Sequence, residues 1–496
     1  MERILAIDQG TSSSRAIVFD GAGRVLGSAQ REFDQIFPRD GWVEHDPEQI
    51  WRTVLDAAHD ALAAAAVDAR AVTAIGITNQ RETTLVWDAV TGAPLHNAIV
   101  WQDRRTADRC DVIRREGMAR EIVERTGLVV DPYFSSTKLS WLLDEVPGLR
   151  LRAERGEVRF GTVDSYLVWR LTEGRVHATD ATNASRTQLY HLESGDWDAD
   201  LLRYFRIPRA VLPAVQDSVA DYGRTAARWL GAEIPIVGVA GDQQAALVGQ
   251  GCIEPGMTKS TYGTGCFVVT NTGSKRVRSG EGLLTTVGYR IGGRSTFAVE
   301  GSIFVAGAAV KWLRDMLGIV ESAAATEAAA EASGRRAGGV YVVPAFTGLG
   351  APHWRPDARG LITGLTLDSR RADIVAATLA AVAYQTSDLL VALARDGAPV
   401  SRLRVDGGMV ANNWLCQLIA DVTAVPVERP AVTETTALGA AMLAALGAGV
   451  ASSLEATRRW WRLERGFTPS LPASERDALL AGWRDAVARA LHGLGG

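Results

Sequence analysis

The sequence has few of the residues that mark metal-binding or disulfide-stabilised proteins. Its 496 residues contain four cysteines, Cys110, Cys252, Cys266 and Cys416, which lie far apart and show no metal-ligand spacing. The seven histidines form no H-x-x-x-H pair. Isolated thiols are typical of a reducing compartment. These absences argue against a zinc enzyme and predict a cytoplasmic protein.

The sequence also lacks a strong excess of one charge and a membrane-spanning run. Lys and Arg number 53 against 57 Asp and Glu, which gives no electrostatic attraction for nucleic acid or anionic lipid. The longest apolar run, residues 437–451, is too short to span a membrane and is rich in Ala and Gly, so it predicts a packed helix. Met1 leads straight into an apolar strand, without a signal peptide. We therefore predict no nucleic-acid partner and no integral membrane segment.

What the chain does have is length, and a glycine-rich break near its middle. It is well past the size at which one hydrophobic core stops growing. The glycine-rich segment 249–256, which includes Pro255, marks the predicted boundary between two domains. We predict a first domain over residues 1–250, a second over 251–450, and a helical tail over 451–496 that packs on the second domain.

Residues 4–20 form two apolar, β-branched runs joined by a polar turn, a pattern that predicts a pair of strands. Gly10 lets backbone N–H groups approach a ligand, and the N–H and hydroxyl groups of Thr11–Ser14 can cradle phosphate oxygens. Arg15 adds a positive fork, and Asp8 is suited to holding Mg²⁺ through water. From this stretch alone, a plain hairpin with a polar tip explains the pattern equally well.

The second half of the chain opens as the first does. Residues 257–269 again give a strand, a Gly–Thr turn and a strand. We interpret this as an internal repeat, in which two related domains present two phosphate-holding turns to one cleft. Downstream, Ser302 is predicted to cap a helix that places Gly307 and Lys311 four residues apart on one face.

Charged and amide side chains follow two other apolar strands. Arg81 and Glu82 come after the strand at 71–77, and Asp242 follows the strand at 234–240. In α/β proteins ligand contacts lie at such strand ends. Without further information, a surface ion pair is the simpler explanation of Arg81 and Glu82.

Taken together, these and other segments resemble the FGGY carbohydrate kinases of the actin–hexokinase superfamily. The segments are residues 8–15, 41–47 (GWVEHDP), 76–84 (GITNQRETT), 99–105, 131–134, 241–247 (GDQQAAL), 261–267 (TYGTGCF), 343–352 (VPAFTGLGAP) and 405–413. The resemblance extends over the chain to about residue 450. It implies an α/β fold with two ribonuclease H-like domains and with ATP and substrate in the cleft between them. It further implies ATP-dependent phosphorylation of glycerol to sn-glycerol 3-phosphate by a homodimer or homotetramer.

The resemblance also assigns the substrate contacts. They are Arg81, Glu82, Trp101, Tyr133, Asp242, Gln243 and Phe267. The chemistry agrees, because arginine, glutamate and glutamine can bind neighbouring hydroxyls while aromatic rings cover the C–H side of a polyol. Asp242 is the predicted catalytic base, which accepts the proton of the attacking hydroxyl.

The predicted nucleotide contacts come from the same resemblance. They are Thr11, Ser12, Ser13, Arg15, Thr264, Gly307, Lys311, Gly408 and Asn412, with Asp8 and Asp242 holding Mg²⁺. A glycine such as Gly408 suits a flat ring lying against the backbone. Lys311 departs from the glutamine expected at that position, but a lysine can still reach the nucleotide.

Two other functions fit parts of the pattern. A kinase for another small polyol or a ketose would share the fold, but the segments 76–84 and 241–247, which line the substrate, argue against it. A non-enzymatic, actin-like nucleotide switch would have no use for Arg81, Glu82, Trp101 and Tyr133 beside a phosphate site.

Overall fold

The structure is a computed structural model that describes residues 2–355 and 357–492. Met1 of the predicted first domain and the last four residues of the predicted tail lie outside the described residues. The strands are β1 Arg3–Gln9, β2 Ser13–Asp20, β3 Val25–Glu32, β4 Glu44–His45, β5 Ala74–Asn79, β6 Leu85–Asp88, β7 Ala98–Ile99, β8 Val158–Gly161, β9 Ala178–Asp180, β10 Tyr190–His191, β11 Asp196–Trp197, β12 Ala214–Gln216, β13 Ile236–Gly241, β14 Thr258–Tyr262, β15 Cys266–Gly273, β16 Leu284–Ile291, β17 Arg294–Ile303, β18 Tyr341–Val343, β19 Leu361–Thr363, β20 Leu403–Asp406, β21 Val427–Pro430 and β22 Leu463–Phe467.

Helices connect and cover these strands. They are α1 Pro47–Ala64, α2 Ala107–Arg115, α3 Ala119–Thr126, α4 Ser135–Glu145, α5 Leu149–Glu154, α6 Val163–Leu171, α7 Ala181–Ala184, α8 Ala199–Tyr204, α9 Ala227–Leu230, α10 Asp242–Gly249, α11 Gly307–Asp315, α12 Ala325–Ser333, α13 Arg371–Arg395, α14 Asn413–Thr423, α15 Thr435–Gly447, α16 Leu454–Thr457 and α17 Ala473–His492.

Two larger sheets repeat one pattern. The first has the order β13-β5-β1-β2-β3, and the second has the order β16-β17-β15-β14-β20-β21-β22. In each, a central strand (β1 or β14) is antiparallel to the strand that follows it and parallel to a later strand (β5 or β20). The predicted internal repeat is therefore confirmed, and each β-hairpin lies at the centre of its sheet.

Both faces of the first sheet are covered by helices. Helix α1 begins with Asp46 as its N-cap and buries Ile50, Trp51 and Val54 in the core of this sheet. Helix α15 packs on β1, β5 and β13 through a nearly continuous buried apolar surface. The predicted packed helix over 437–451 thus exists, and it covers the first sheet although it falls within the predicted second domain. The domain boundaries themselves remain predictions.

Helices α10 and α15 cross at backbone contact. A Cβ atom on Gly439 would lie 1.8 Å from the carbonyl oxygen of Ala245, and one on Gly249 would lie 1.9 Å from that of Thr435. Only glycine permits such an approach. This crossing connects α10, which begins at the predicted base Asp242, to a helix from the second half of the chain.

The longest helix, α13, covers the second sheet. By length and composition alone it could cross a membrane, but 78% of its most apolar window is buried within the protein. Its alanine and leucine side chains contribute to the core that contains Val405 of β20 and Trp483 of α17. It is therefore a core helix, and α17 from the predicted tail packs in the same core.

Candidate functional site

The Arg81–Glu82 step follows β5 in an unusual backbone conformation. Glu82 has φ of 61°, in the left-handed region that residues other than glycine seldom occupy. Hydroxyl groups of Ser135 and Thr84 donate to its carbonyl oxygen at 2.8 and 3.1 Å. Strained residues held in place by their surroundings are concentrated at functional sites, and the side chain of this one accepts a hydrogen bond from Arg186.

Arg81 and Glu82 form a cluster of four buried charges with Arg186 and Glu300. Arg81 donates to Glu300 twice, from Nη1 to Oε2 at 2.5 Å and from Nη2 to Oε1 at 3.2 Å. Arg186 joins the two acids, because its Nε donates to Glu82 Oε1 at 2.6 Å and its Nη2 to Glu300 Oε1 at 3.0 Å. All four side chains are at most 2% exposed. Mutual pairing compensates charges that would be very costly to bury alone.

The two acids of this cluster differ in their ionisation. Burial alone would raise the pKa of Glu300, yet Arg186 and Arg81 hold it down at about 2. At Glu82 burial outweighs the same two cations, and the pKa is raised. Glu300 is thus the firmly ionised partner of both arginines.

Asp242 lies next to this cluster at the start of α10. Its Oδ1 is 3.1 Å from Arg81 Nε, and its Oδ2 accepts from Gln243 Nε2 at 3.1 Å. The fully buried Lys259 donates to Gln243 Oε1 and, at 3.0 Å, to Thr261 Oγ1. The Asp242 side chain is 29% exposed. It is therefore oriented from both sides while remaining open to a ligand.

Three aromatic rings line the neighbouring wall. Trp101 packs edge-on against Tyr133 and Phe267, with ring centroids 5.6 and 6.3 Å apart. The guanidinium of Arg81 lies 5.9 Å from the Phe267 centroid, and that of Arg186 lies 5.5 Å from the Tyr133 centroid. The structure therefore brings all seven predicted substrate contacts into one connected group.

The first predicted phosphate turn is a tight hairpin. Gly10 N donates to Ser13 O at 2.9 Å between β1 and β2. Thr11 Oγ1 accepts from Trp101 Nε1 at 2.9 Å, which places this turn directly beside the aromatic wall. Arg15 forms a hydrogen bond to Gln30 at 2.7 Å and an ion pair with Glu434 from the second half of the chain. Ser12 is exposed.

The second predicted turn docks on α11. Gly307 N donates to Gly263 O at 2.9 Å, and the Thr264 carbonyl accepts from two further amides at the start of this helix. The prediction that Ser302 caps the helix is wrong, because Ser302 lies within β17 and α11 begins only at Gly307. An extended strand fills the interval that the sequence assigned to the helix start. Lys311 is exposed one turn farther along α11.

The last two predicted nucleotide contacts lie beyond β20. Gly408 is exposed, and a Cβ atom there would meet no other atom within 4 Å. Asn412 is the N-cap of α14, since its Oδ1 accepts from Leu415 N at 2.9 Å. Its side chain therefore has a structural role whether or not it contacts a nucleotide.

The two predicted magnesium ligands influence each other electrostatically. Burial raises the pKa of Asp8 to about 7; Arg15 opposes this shift and Asp242 adds to it. A divalent cation near both carboxylates would relieve their repulsion. Among the residues that the structure describes, no group of three or more His, Cys, Asp or Glu side chains could hold a metal ion. Two carboxylates nevertheless fit Mg²⁺, which takes its remaining ligands from water and phosphates.

The raised pKa of Asp8 predicts a pH-dependent stability. The folded state holds the Asp8 proton more tightly than the unfolded state, whose pKa is near 3.8, so ionising Asp8 in place destabilises the fold as pH rises toward 7. Asp8→Asn removes this penalty. We expect the variant to be more stable than the wild type by about 2–4 kcal/mol at pH 8 and by less at pH 5.

Melting temperatures of the nucleotide-free protein at the two pH values measure this effect. Asp20→Asn is a control of opposite sign: burial would raise the pKa of Asp20, but hydrogen bonds from Arg24 and Ala22 hold it below the ordinary value. That variant should melt lower than the wild type. If the difference in melting temperature between Asp8→Asn and the wild type were the same at both pH values, the prediction would be wrong.

Three charged residues of the site were not predicted from the sequence: Arg186, Lys259 and Glu300. Glu300 gave the clearest signal, because it is the one acid between apolar residues of a buried strand, Phe297–Ala298–Val299 before it and Ile303 after it. Such a residue must find a cation. Lys259 gave the same kind of signal in β14, where it is fully buried.

Comparison with known proteins agrees with this geometry. Residues 3–249 match the N-terminal domain of the FGGY family of carbohydrate kinases, and residues 258–448 match its C-terminal domain. The chain is 60% identical to glycerol kinases of Alcanivorax borkumensis and Rhodospirillum centenum, over 99% of this chain and 98% of each relative. A crystal structure of Plasmodium falciparum glycerol kinase with ADP superposes with a TM-score of 0.92 at 34% identity, over 99% of this chain and 98% of the other. The chain therefore belongs to the FGGY family of carbohydrate kinases.

Proposed function

We propose that this protein transfers the γ-phosphoryl group of ATP to glycerol, giving sn-glycerol 3-phosphate and ADP. The high identity to glycerol kinases over nearly the full length supports this activity. The observation that carries the proposal is a single group of contacts in which Asp242 and Arg81 lie beside Glu82 and an aromatic wall. Trp101 connects that wall to the Thr11 turn.

The proposed polyol site combines a polar side with an apolar one. Arg81 and Glu82 offer a donor and an acceptor to neighbouring hydroxyls, and Gln243 can serve as either. Glu300 fixes the orientation of Arg81, and Arg186 fixes that of Glu82. Little side-chain freedom is therefore lost when the polyol binds. Trp101 then covers the C–H side of the ligand.

In the proposed transfer, Asp242 orients one terminal hydroxyl and receives its proton. The hydroxyl oxygen forms a bond to the γ-phosphorus while the bond from that phosphorus to the bridging oxygen of ADP breaks. The backbone amides of the two turns, with Arg15, stabilise the charge on the phosphoryl oxygens. Mg²⁺, which Asp8 and Asp242 would hold, supplies further positive charge to the phosphates.

A coupled assay of ADP release tests the activity. We expect glycerol to give the highest kcat/KM among small polyols and ketoses, with little ADP formed when no acceptor is present. A higher kcat/KM with another acceptor would make the protein a sister kinase. Nucleotide hydrolysis that no polyol or ketose stimulates would favour a nucleotide switch.

The open space at Gly408 allows a separate test of the nucleotide site. Gly408→Leu should fold normally, because nothing lies within 4 Å of the new Cβ atom. In the proposed site, however, the leucine side chain would occupy the place of the adenine ring of ATP. We expect a loss of about 1–3 kcal/mol, or about 5- to 150-fold in KM for ATP, with little change in KM for glycerol.

Gly466→Leu is the matched control for Gly408→Leu. Gly466 lies in β22 and also has no atom within 4 Å of a built Cβ, so its variant should keep the wild-type KM for ATP. If both variants kept that value at equal melting temperature, Gly408 would not belong to the nucleotide site.

We further propose a cytoplasmic homodimer or homotetramer, as expected from the resemblance. The four cysteines, all buried and unpaired, suit a reducing compartment. Light scattering should give a mass of two or four times the 53.1 kDa chain, and a mass of one chain would contradict the proposal.

A further inference from the structure

The first turn of α4 holds the backbone of the aromatic wall. Lys138 is fully buried, and its Nζ donates to the carbonyl oxygens of Val100 at 2.7 Å and Tyr133 at 3.2 Å. Val100 directly precedes Trp101. One ammonium group therefore connects the chain segments that carry two of the three rings of the wall.

These segments have little regular structure of their own. Trp101 and Tyr133 lie in turns, outside helices and strands. Tyr133 N is bonded only within its own loop, to Asp131 Oδ1 at 2.8 Å. Ser135, three residues before Lys138 on the same helix, donates to the carbonyl of Glu82 at 2.8 Å. Because residues i and i+3 share one face of a helix, this face supports all three loops of the polyol pocket.

We propose that Lys138 is a positioning residue that fixes the separation of Trp101 and Tyr133 and thereby determines affinity and selectivity for a small polyol. The inference rests on the proposed function of this pocket. Lys138 itself does not touch the substrate, since its ammonium group faces backbone carbonyls behind the wall.

The cost of burying this amine supports a role beyond filling space. Burial lowers the pKa of Lys138 to about 7, so the fold disfavours the charged form. A methionine of similar length would fill the position without the cost of burying an amine. What methionine cannot do is donate hydrogen bonds to the two carbonyls.

The test compares Lys138→Met with Arg104→Met. Arg104 connects the same two loops from the solvent side, donating to Asp131 at 2.7 and 3.3 Å, and its side chain is 41% exposed. For Lys138→Met we expect KM for glycerol to rise about 10- to 100-fold, with discrimination between glycerol and longer polyols reduced. KM for ATP and the melting temperature should change little. Arg104→Met should keep the wild-type KM for glycerol.

Each outcome decides the role of Lys138. A Lys138→Met protein that binds ADP normally in calorimetry and keeps the wild-type KM and selectivity would overturn the proposal. Should that variant fail to fold, Lys138→Gln decides, because its amide nitrogen lies one bond nearer the backbone and cannot bridge both carbonyls; an unchanged KM for glycerol in this variant would also overturn the proposal. If the wild type prefers another polyol, the proposed function fails. The KM comparison made with that polyol still decides whether Lys138 positions the wall.

Discussion

Replacing Asp242 with asparagine is expected to lower kcat by about 10²–10⁴, the range for a general acid–base group. The variant keeps the shape of the side chain and one acceptor oxygen, but it cannot take the proton of the hydroxyl. In a loose phosphoryl-transfer transition state the base mainly orients the nucleophile and accepts the proton late. The Asp242→Asn variant also loses the negative charge that lies 3.1 Å from Arg81 Nε. Affinities for glycerol and ATP should change far less.

A structural role for Asp242 makes a different prediction. Asp242 is the first residue of α10, and its Oδ1 accepts from Gln243 N at 2.7 Å, so it also stabilises the start of the helix by about 1 kcal/mol. If that were its whole contribution, Asp242→Asn would turn over at nearly the wild-type rate. Asp46→Asn is the matched control, because Asp46 is the N-cap of α1. Steady-state kinetics and melting curves of the two variants separate the roles.

The parts of the fold that the sequence predicted are those that depend on local order. Each hairpin is encoded by two apolar runs around a glycine turn at Gly10 or Gly263, so its strands pair with near neighbours in the chain. Likewise, Arg81 and Asp242 could be placed at strand ends because β5 and β13 are short apolar runs with parallel pairing.

The parts that could not be predicted depend on contacts between distant residues. Arg81 and Glu300 are 219 positions apart, and no periodicity in β17 indicates which cation its buried acid will meet. The same limit applies to α15, whose apolar surface fits either sheet by composition and packs on the first. Ser302 shows the converse error, in which a good capping residue is used inside a strand.

Replacing Glu82 with alanine is expected to reduce kcat/KM for glycerol by about 2–4 kcal/mol, or about 30- to 900-fold. The substitution removes a predicted acceptor for a polyol hydroxyl. It also leaves Arg186 with Glu300 as its remaining acid, after loss of the 2.6 Å hydrogen bond from its Nε. Arg81 and Arg186 would then share Glu300, and Arg81 would keep Asp242 at 3.1 Å from its Nε as a second acid. Binding of ATP, measured by calorimetry, should hardly change.

Two further variants distinguish a substrate contact from a buried ion pair in general. Glu82→Gln keeps the length of the side chain and an acceptor oxygen, so its kcat/KM should lie between those of the wild type and Glu82→Ala. Asp198→Ala removes another nearly buried acid, which lies outside the proposed site and forms an ion pair with Arg125 at 3.0 Å. This variant should have a lower melting temperature than the wild type but the same kcat/KM for glycerol. Normal glycerol turnover by folded Glu82→Ala would remove Glu82 from the polyol site, because Arg81, Gln243 and Asp242 would then suffice to hold the hydroxyls.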